Sequence, residues 1–247
     1  MSILLQRINF KKGLMPFFFT LLLAGCTTSF LGGNTANMLK EDANASSDFY
    51  MNKIEQTQKV EEQQTYKLLA ARVLITENKI PQAQALLNEL KDLTPDQLVD
   101  KSLIEAHIAA VKNDNTRAAN VLKSVNLAQL SPSQTGRYYA VKARIAENKA
   151  DIIEAVKARV QMDQVLSDVQ RKQENNDRTW ALLRSANRGI INNTQDEGNL
   201  ALAGWLALTR AYNDNINQPT QLSQALQSWK SAYPNHVAAT FFPKELE

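Results

Sequence analysis

Hydrophobic and polar residues follow each other along most of this chain with the spacing of amphipathic helices. Beyond residue 46 glycine is scarce, alternating β-branched runs do not occur, and alanine, leucine, glutamine, glutamate, lysine and arginine predominate. These residues favour helix by intrinsic propensity. Ser47 or Asp48 can cap the first amphipathic segment. The pattern therefore predicts an all-α fold for residues 47–247.

The helical pattern repeats with a period of 35 residues. Asn78, Asn113 and Asn148 recur in similar surroundings at this spacing. Asparagine suits a turn between two helices because it tolerates the left-handed backbone conformation. A further set of equivalent positions is occupied by Leu68, Leu103 and Tyr138. Since tetratricopeptide repeats are 34 residues long and stack into solenoids, we predict a tetratricopeptide-like helix-turn-helix solenoid.

Short polar motifs mark where individual helices begin. The first hairpin is predicted as helices over residues 65–77 and 81–91. The sequences Thr94–Gln97 and Ser131–Gln134 both fit a capping box with proline at the first helical position. These motifs place the starts of the second and third hairpins.

The repeat phase is lost after residue 166. Residues 171–177 are polar and are predicted to connect the array to a helix over 178–191. A last hairpin is predicted from residues 200–212 and 219–232, with its turn at 213–215. The C-terminal part of the array is therefore expected to be irregular.

The first 25 residues have the layout of a lipoprotein signal peptide. Basic residues precede an apolar run, Leu14–Ala24, that is about half as long as a membrane-spanning helix. The run leads into the lipobox Leu23–Cys26, which contains the only cysteine of the chain. We predict cleavage after Gly25 and lipid attachment to Cys26. The alternative is an ordinary export signal in which the cysteine occurs by chance.

Two further features describe the predicted mature N-terminus. Thr27 stands where an aspartate commonly marks retention at the inner membrane, so the outer membrane, on its periplasmic side, is the predicted location. Residues 26–46 are rich in threonine, serine, glycine and asparagine, and they predict a flexible tether that could reach about 60 Å when stretched.

Composition and charge exclude several classes of function. The formal charge of +3 disappears with the predicted signal peptide, which carries three basic residues and no acidic ones. Nucleic acid is therefore not an expected partner. His107 and His236 are far apart and the single cysteine is assigned to lipid, so neither a metal site nor an internal disulfide is expected. No nucleotide-binding or hydrolase motif occurs, and we expect no cofactor and no catalytic residues.

Three residues are candidates for binding a partner. His107 lies on the first helix of a repeat and could face a groove, although a partly buried structural histidine is the alternative. Tyr138 and Tyr139 are adjacent on a helix and point about 100° apart, so one is expected in the core and the other closer to solvent. Core packing explains such aromatic pairs as readily as recognition does.

The chain resembles the N-terminal region of the LpoA family. The resemblance rests on the lipobox at Cys26, on Asp48-Phe49-Tyr50 opening the first helix, and on Tyr66–Arg72 leading into Asn78. It implies an outer-membrane lipoprotein that activates a bifunctional class A penicillin-binding protein across the peptidoglycan, and thus a regulator and not an enzyme. It also implies a C-terminal domain resembling periplasmic binding proteins, which this sequence lacks. Only Cys26 is carried over as a functional residue.

Two other functions remain open on the sequence alone. A periplasmic scaffold lipoprotein could use the solenoid to bind peptides or outer-membrane assembly factors. A lipid-anchored cell-wall hydrolase would need paired catalytic residues, for which the sequence offers no candidates.

Overall fold

Twelve α-helices build residues 35–247, the part of the chain that this computed structural model describes. Their bounds are α1 Ser47–Gln56, α2 Val60–Thr76, α3 Ile80–Asn88, α4 Pro95–Val111, α5 Asn115–Lys123, α6 Pro132–Asn148, α7 Ile152–Asp163, α8 Val169–Ser185, α9 Arg188–Asn193, α10 Leu200–Asn215, α11 Pro219–Ala232 and α12 Val237–Thr240. Short 3-10 helices occupy Thr35–Lys40, Leu127–Gln129 and Lys244–Leu246. Residues 35–247 contain no β-strand, so the all-α prediction is confirmed.

Helices α2 to α7 form three successive hairpins, as the tetratricopeptide-like prediction requires. Both capping boxes are present: the hydroxyls of Thr94 and Ser131 accept hydrogen bonds from the amides of Gln97 and Gln134, whose side chains bond back. The side-chain amide of Gln97 also donates to the hydroxyl of Thr65, 3.1 Å away, and so ties α4 to α2. The caps therefore fix helix starts and hairpin stacking together.

The third hairpin is shifted by two residues from the predicted register. At the turns of the first two hairpins, Asn78 and Asn113 have φ angles of 59° and 63°. At the turn of the third hairpin the left-handed residue is Ala150, and Asn148 still belongs to α6. The connection between α5 and α6 is two residues longer than the one before it and contains a 3-10 turn. The predicted equivalence of Tyr138 with Leu103 is therefore wrong, since Lys101 is the structural counterpart of Tyr138.

The chain after α7 departs from the prediction in its helix boundaries. Residues 171–177 are not a connection, because α8 already begins after Asp168, whose carboxylate accepts a hydrogen bond from the amide of Arg171. Asn175 and Asn176 are buried and bond to α7, through the carbonyl of Arg159 and the carboxylate of Asp163. A polar sequence is thus helical here because its side chains have partners on the neighbouring helix.

Residues 35–46, the second half of the predicted tether, pack against the helices. Residues 35–40 form a 3-10 helix in which Leu39 is fully buried against α2, so the prediction of a flexible tether is wrong for residues 35–46. The stretch is polar in composition, but the burial of Leu39 fixes it to the helices. Residues 1–34, which include the predicted signal peptide and Cys26, lie outside the described residues.

Candidate functional site

The first helix of each hairpin carries a basic or imidazole side chain at one equivalent position. Arg72, His107 and Arg144 each stand five residues before the C-cap of their helix, α2, α4 and α6 respectively. Arg72 is buried, His107 is half-buried and Arg144 is exposed. The same helical position therefore changes from core to solvent along the array.

Asp100 on α4 connects two arginines of the neighbouring helices. It is fully buried on α4, accepts a hydrogen bond from the guanidinium of Arg137 on α6, and lies 3.9 Å from the guanidinium of Arg72. Burial and repulsion from Arg137 lower the pKa of Arg72 to about 10, so Arg72 stays charged at neutral pH. Three first helices are thus joined by one arginine–aspartate–arginine cluster.

His107 is held neutral by its surroundings. Burial, followed by the positive charges of Arg137 and Arg144, lowers the pKa of His107 to about 4. It borders a cavity of about 560 Å³ whose lining also includes Arg72, Arg137 and Val141. We call the face of α2, α4 and α6 around this cavity the first-helix groove. His107 thus borders a cavity and is half-buried, a position that fits both the groove-facing role and the structural alternative.

Residues 35–46, which we call the N-terminal segment, cross the first-helix groove: residues 35–40 contact α2, α4 and α6, and residues 42–46 form one wall of the cavity. Arg72 donates hydrogen bonds to the carbonyls of Leu39 and Glu41, at 3.5 and 2.9 Å. The hydroxyl of Ser131, at the start of α6, donates to the carbonyl of Lys40 at 2.6 Å. The segment is thus held through its main chain by two different helices.

The carboxylate of Asp42 adds a side-chain contact to this set. It accepts a hydrogen bond from the hydroxyl of Ser133 and pairs with the guanidinium of Arg171 on α8 at 3.1 Å. Burial raises the pKa of Asp42, but the Ser133 hydrogen bond and the charge of Arg171 outweigh it, and the pKa lies below its ordinary value. Asp42 is therefore ionised over the physiological range.

The two candidate tyrosines lie away from this groove. Tyr138 and Tyr139 are both half-buried and meet edge to face, with ring centroids 5.3 Å apart. Tyr138 packs against the aliphatic core of α4 and α5, while Tyr139 borders a separate cavity of about 520 Å³ lined by Lys142 and Lys149. The expected division into one core ring and one solvent-facing ring is therefore only partial, and neither tyrosine borders the cavity that contains His107.

The sequence analysis did not select four residues that make contacts at the groove, namely Arg72, Asp100, Asp42 and Leu39. The signal was present for two of them. Arg72 and Asp100 are charges within otherwise apolar helical faces, and such residues are rarely buried without a partner. Leu39 and Asp42 gave no signal because their environment is formed by helices distant in sequence.

Other kinds of site find no support between residues 35 and 247. In that range no group of three or more metal-binding side chains comes together. Within the same range, none of the helices combines the length and the apolar character needed to cross a membrane.

Comparison with protein families gives a match over most of the chain. Residues 40–247 match the model of the LppC lipoprotein family. The chain belongs to the LppC family. Within it, the chain is 69% identical over its whole length to the penicillin-binding protein activator LpoA of Pasteurella multocida, and 63% identical to that of Haemophilus influenzae. It spans 43% of the length of each relative, so it corresponds to less than half of these LppC proteins.

Solved structures of LppC proteins agree with the described helices. The crystal structure of the LpoA N-terminal domain from Haemophilus influenzae is 64% identical, covers 86% of this chain and 98% of that chain, and superposes with a TM-score of 0.83. The amino-terminal domain of Escherichia coli LpoA is 29% identical, with 86% and 93% coverage and a TM-score of 0.76. The resemblance to the LpoA family and the helical fold are thereby confirmed for this LppC chain.

Proposed function

We propose that this protein is a lipoprotein anchored through Cys26 to the periplasmic side of the outer membrane, where it activates a bifunctional class A penicillin-binding protein. The observation that carries the proposal is the 69% identity, over the whole chain, to a relative named penicillin-binding protein activator LpoA. Because the chain spans less than half of that relative, activation is proposed for the whole protein. The helical solenoid is proposed as its spacer, tether or interaction module.

The packed N-terminal segment limits how far the solenoid can stand from the anchor. Nine residues, 26–34, separate the predicted lipid from the first described helix, and they reach at most about 30 Å. The solenoid would therefore begin close to the outer membrane, and its stacked helices would provide most of the distance toward the peptidoglycan. This geometry favours a spacer over a freely swinging tether.

The proposed role is that of a regulator of transpeptidation and not of an enzyme. The charged groups of the first-helix groove pair with one another or with the N-terminal segment, as Arg137 does with Asp100. The two hydroxyls that line the cavity of this groove with His107 bond to the main chain: that of Ser46 accepts a hydrogen bond from an amide, and that of Thr76 donates to a carbonyl. Stimulation of a synthase by binding requires none of these groups to react.

The test is binding of the lipid-free chain, residues 27–247, to the ectodomain of a class A penicillin-binding protein by calorimetry at physiological salt. Micromolar or tighter binding would assign a synthase contact to the solenoid. Tyr139→Ala, at the lysine-lined cavity, should then weaken binding more than Tyr138→Ala, which alters mainly the core. Absence of binding, with full activity in the longer relatives, would assign the solenoid to spacing alone.

The anchor is tested by a pair of variants at the lipobox. Cys26→Ala should abolish labelling by radioactive palmitate and release the protein from the membrane fraction. Thr27→Asp should keep the label but move the protein to the inner-membrane fraction. Palmitate labelling of Cys26→Ala would contradict the assignment of Cys26.

A further inference from the structure

The N-terminal segment contacts the first-helix groove in the way a bound peptide would. Between residues 39 and 42 it offers one buried apolar side chain, three main-chain carbonyls and one carboxylate. The groups that receive them come from α2, the start of α6 and α8. Stacked helical hairpins commonly bind extended polypeptide on such a surface.

Buried residues of the N-terminal segment stand beside solvent-exposed ones. Thr35 and Ala36 are buried, and Met38, Ala43 and Ala45 pack partly buried against the neighbouring core. Leu39 is fully buried and Asp42 is half-buried, whereas the side chains of Glu41, Asn44 and Ser46 are exposed.

Three of the six polar contacts of residues 39–42 with residues beyond the N-terminal segment go to main-chain carbonyls, which any sequence can supply. Two are made by the carboxylate of Asp42, and the last is the ion pair of Lys40 with Asp96 at 3.8 Å, whose exposure to solvent makes it weak. Sequence selectivity therefore resides in an apolar residue and in a carboxylate three positions later.

Two contacts in the groove depend on the N-terminal segment. Without it, the guanidinium of Arg72 would keep Asp100, at 3.9 Å, but would exchange its hydrogen bonds to the carbonyls of Leu39 and Glu41 for hydrogen bonds to water. The apolar surface that buries Leu39 would also be exposed to water, which is unfavourable. Another segment with an apolar side chain and available main-chain carbonyls would restore both contacts.

We propose that residues 39–42 are a peptide ligand bound in cis, and that the first-helix groove is a peptide-binding site for an apolar residue followed three positions later by a carboxylate. A polypeptide of this chemistry competes with the N-terminal segment. Displacement would also raise the number of residues between the predicted lipid and the packed helices from nine to about twenty, and the greatest distance that they can span from about 30 to about 60 Å. This inference does not depend on the proposed activation of a synthase.

The test cuts the segment from its own chain after folding. A protease recognition sequence is inserted after Asn44, which is exposed between the bound residues and α1. The lipid-free chain, residues 27–247, is folded intact and then cleaved. A fluorescein-labelled peptide of residues 35–44 is titrated into cut and uncut protein, with fluorescence anisotropy as the readout and circular dichroism as the check of folding.

Exchange of the labelled peptide into cut, folded protein with a micromolar dissociation constant, and at least tenfold weaker binding to uncut protein, is the expected result. Arg72→Met should weaken binding to the cut protein at least tenfold, as should Leu39→Asp in the peptide. Arg144→Met is the matched control at the equivalent, exposed position of α6 and should leave affinity unchanged.

Three results would overturn the proposal. Cut protein that stays folded and takes up no peptide would mean that the groove does not exchange its occupant. Cut protein that unfolds as the fragment leaves would make residues 39–42 an integral part of the core. Equal binding to cut and uncut protein would place the peptide elsewhere on the surface.

Discussion

Helices α1–α6 and helices α7–α12 are stabilised by different kinds of buried side chain. The clusters of the first region consist mainly of leucine, isoleucine, valine and alanine, together with the buried charges of Arg72 and Asp100. The cluster of the second region contains Trp180, Trp205 and Trp229, and its buried polar groups are neutral. One region therefore combines small aliphatic contacts with an ionic cluster, and the other packs large rings.

The difference shows what makes a repeat visible in a sequence. Where each hairpin packs against a near copy of itself, the same small residues and caps recur, as at Thr94 and Ser131. At the end of the array the core is packed by a few aromatic residues, and each makes contacts that no other hairpin repeats. Trp229 alone donates to the carbonyl of Gly204 at 2.8 Å and meets the rings of Tyr233, His236 and Phe242.

The largest expected effect is in the first region, at its ionic cluster. Arg137→Met leaves the carboxylate of Asp100 buried with Arg72 as its nearest cation, 3.9 Å away, and should cost about 3 kcal/mol of unfolding free energy. Urea denaturation measures the loss. The exposed Arg144→Met should change stability by less than about 0.5 kcal/mol.

A double variant separates the charge from the packing at that cluster. Combining Arg137→Met with Asp100→Leu removes the carboxylate that has lost its hydrogen-bonded partner. It should recover part of the loss, because Arg72 keeps the carbonyls of Leu39 and Glu41 and apolar replacements of buried ion pairs are often tolerated. A double variant less stable than Arg137→Met alone would show that Asp100 is needed to compensate the buried charge of Arg72.

The second region should be most sensitive to added volume at Gly204. A methyl group there would lie 2.7 Å from Nε2 of His236, so Gly204→Ala should cost about 2 kcal/mol. Gly136→Ala on α6 is the matched control, since its methyl would lie 3.6 Å from Val165, an ordinary contact, and alanine favours helix. Equal thermal midpoints for the two variants would contradict close packing at Gly204.

Acid should weaken both regions through one histidine in each. Burial lowers the pKa of His107 to about 4 and lowers that of His236, despite the hydrogen bond between His236 and the carbonyl of Ala201. The folded state therefore binds fewer protons, so this stability is present above pH 6.5 and is lost as pH falls from 6.5 toward 4. We expect His107 to account for about 1 to 2 kcal/mol of that loss.

Two single variants assign the acid sensitivity to its region. His107→Gln should flatten the dependence of unfolding free energy on pH between 6.5 and 4.5, where carboxylates contribute little. His236→Gln should be less stable at all pH values, because Nδ1 of His236 accepts the amide of Ala238 at 3.0 Å and caps α12. If His107→Gln leaves the dependence of unfolding free energy on pH unchanged, His107 does not cause the acid sensitivity.

The sequence predicted the fold better than the groove, because the fold is marked by motifs within short stretches of sequence and the groove is formed by residues far apart in sequence. Capping boxes and the asparagine turns act within four residues, so both could be read directly and both are present at Thr94 and Asn78. Leu39 and Asp42 sit in polar surroundings in sequence, and their partners are 30 to 130 residues away. The polar start of α8 was missed for the same reason, since the partners of Asn175 lie on α7.

The smallest expected effect lies at the boundary of the two regions, where the repeat slips by two residues. Ala150 has a φ angle of 57°, in the place that Asn78 and Asn113 hold in the first two turns. A left-handed alanine is strained and asparagine or glycine is not, so Ala150→Asn should gain about 0.5 to 1 kcal/mol. Asn113→Ala should lose a similar amount, and guanidinium denaturation can measure both. If neither variant changes the free energy of unfolding, the packing of the hairpins determines the turn conformation. The asparagines would then be a recurring feature of the sequence that does not stabilise the turns.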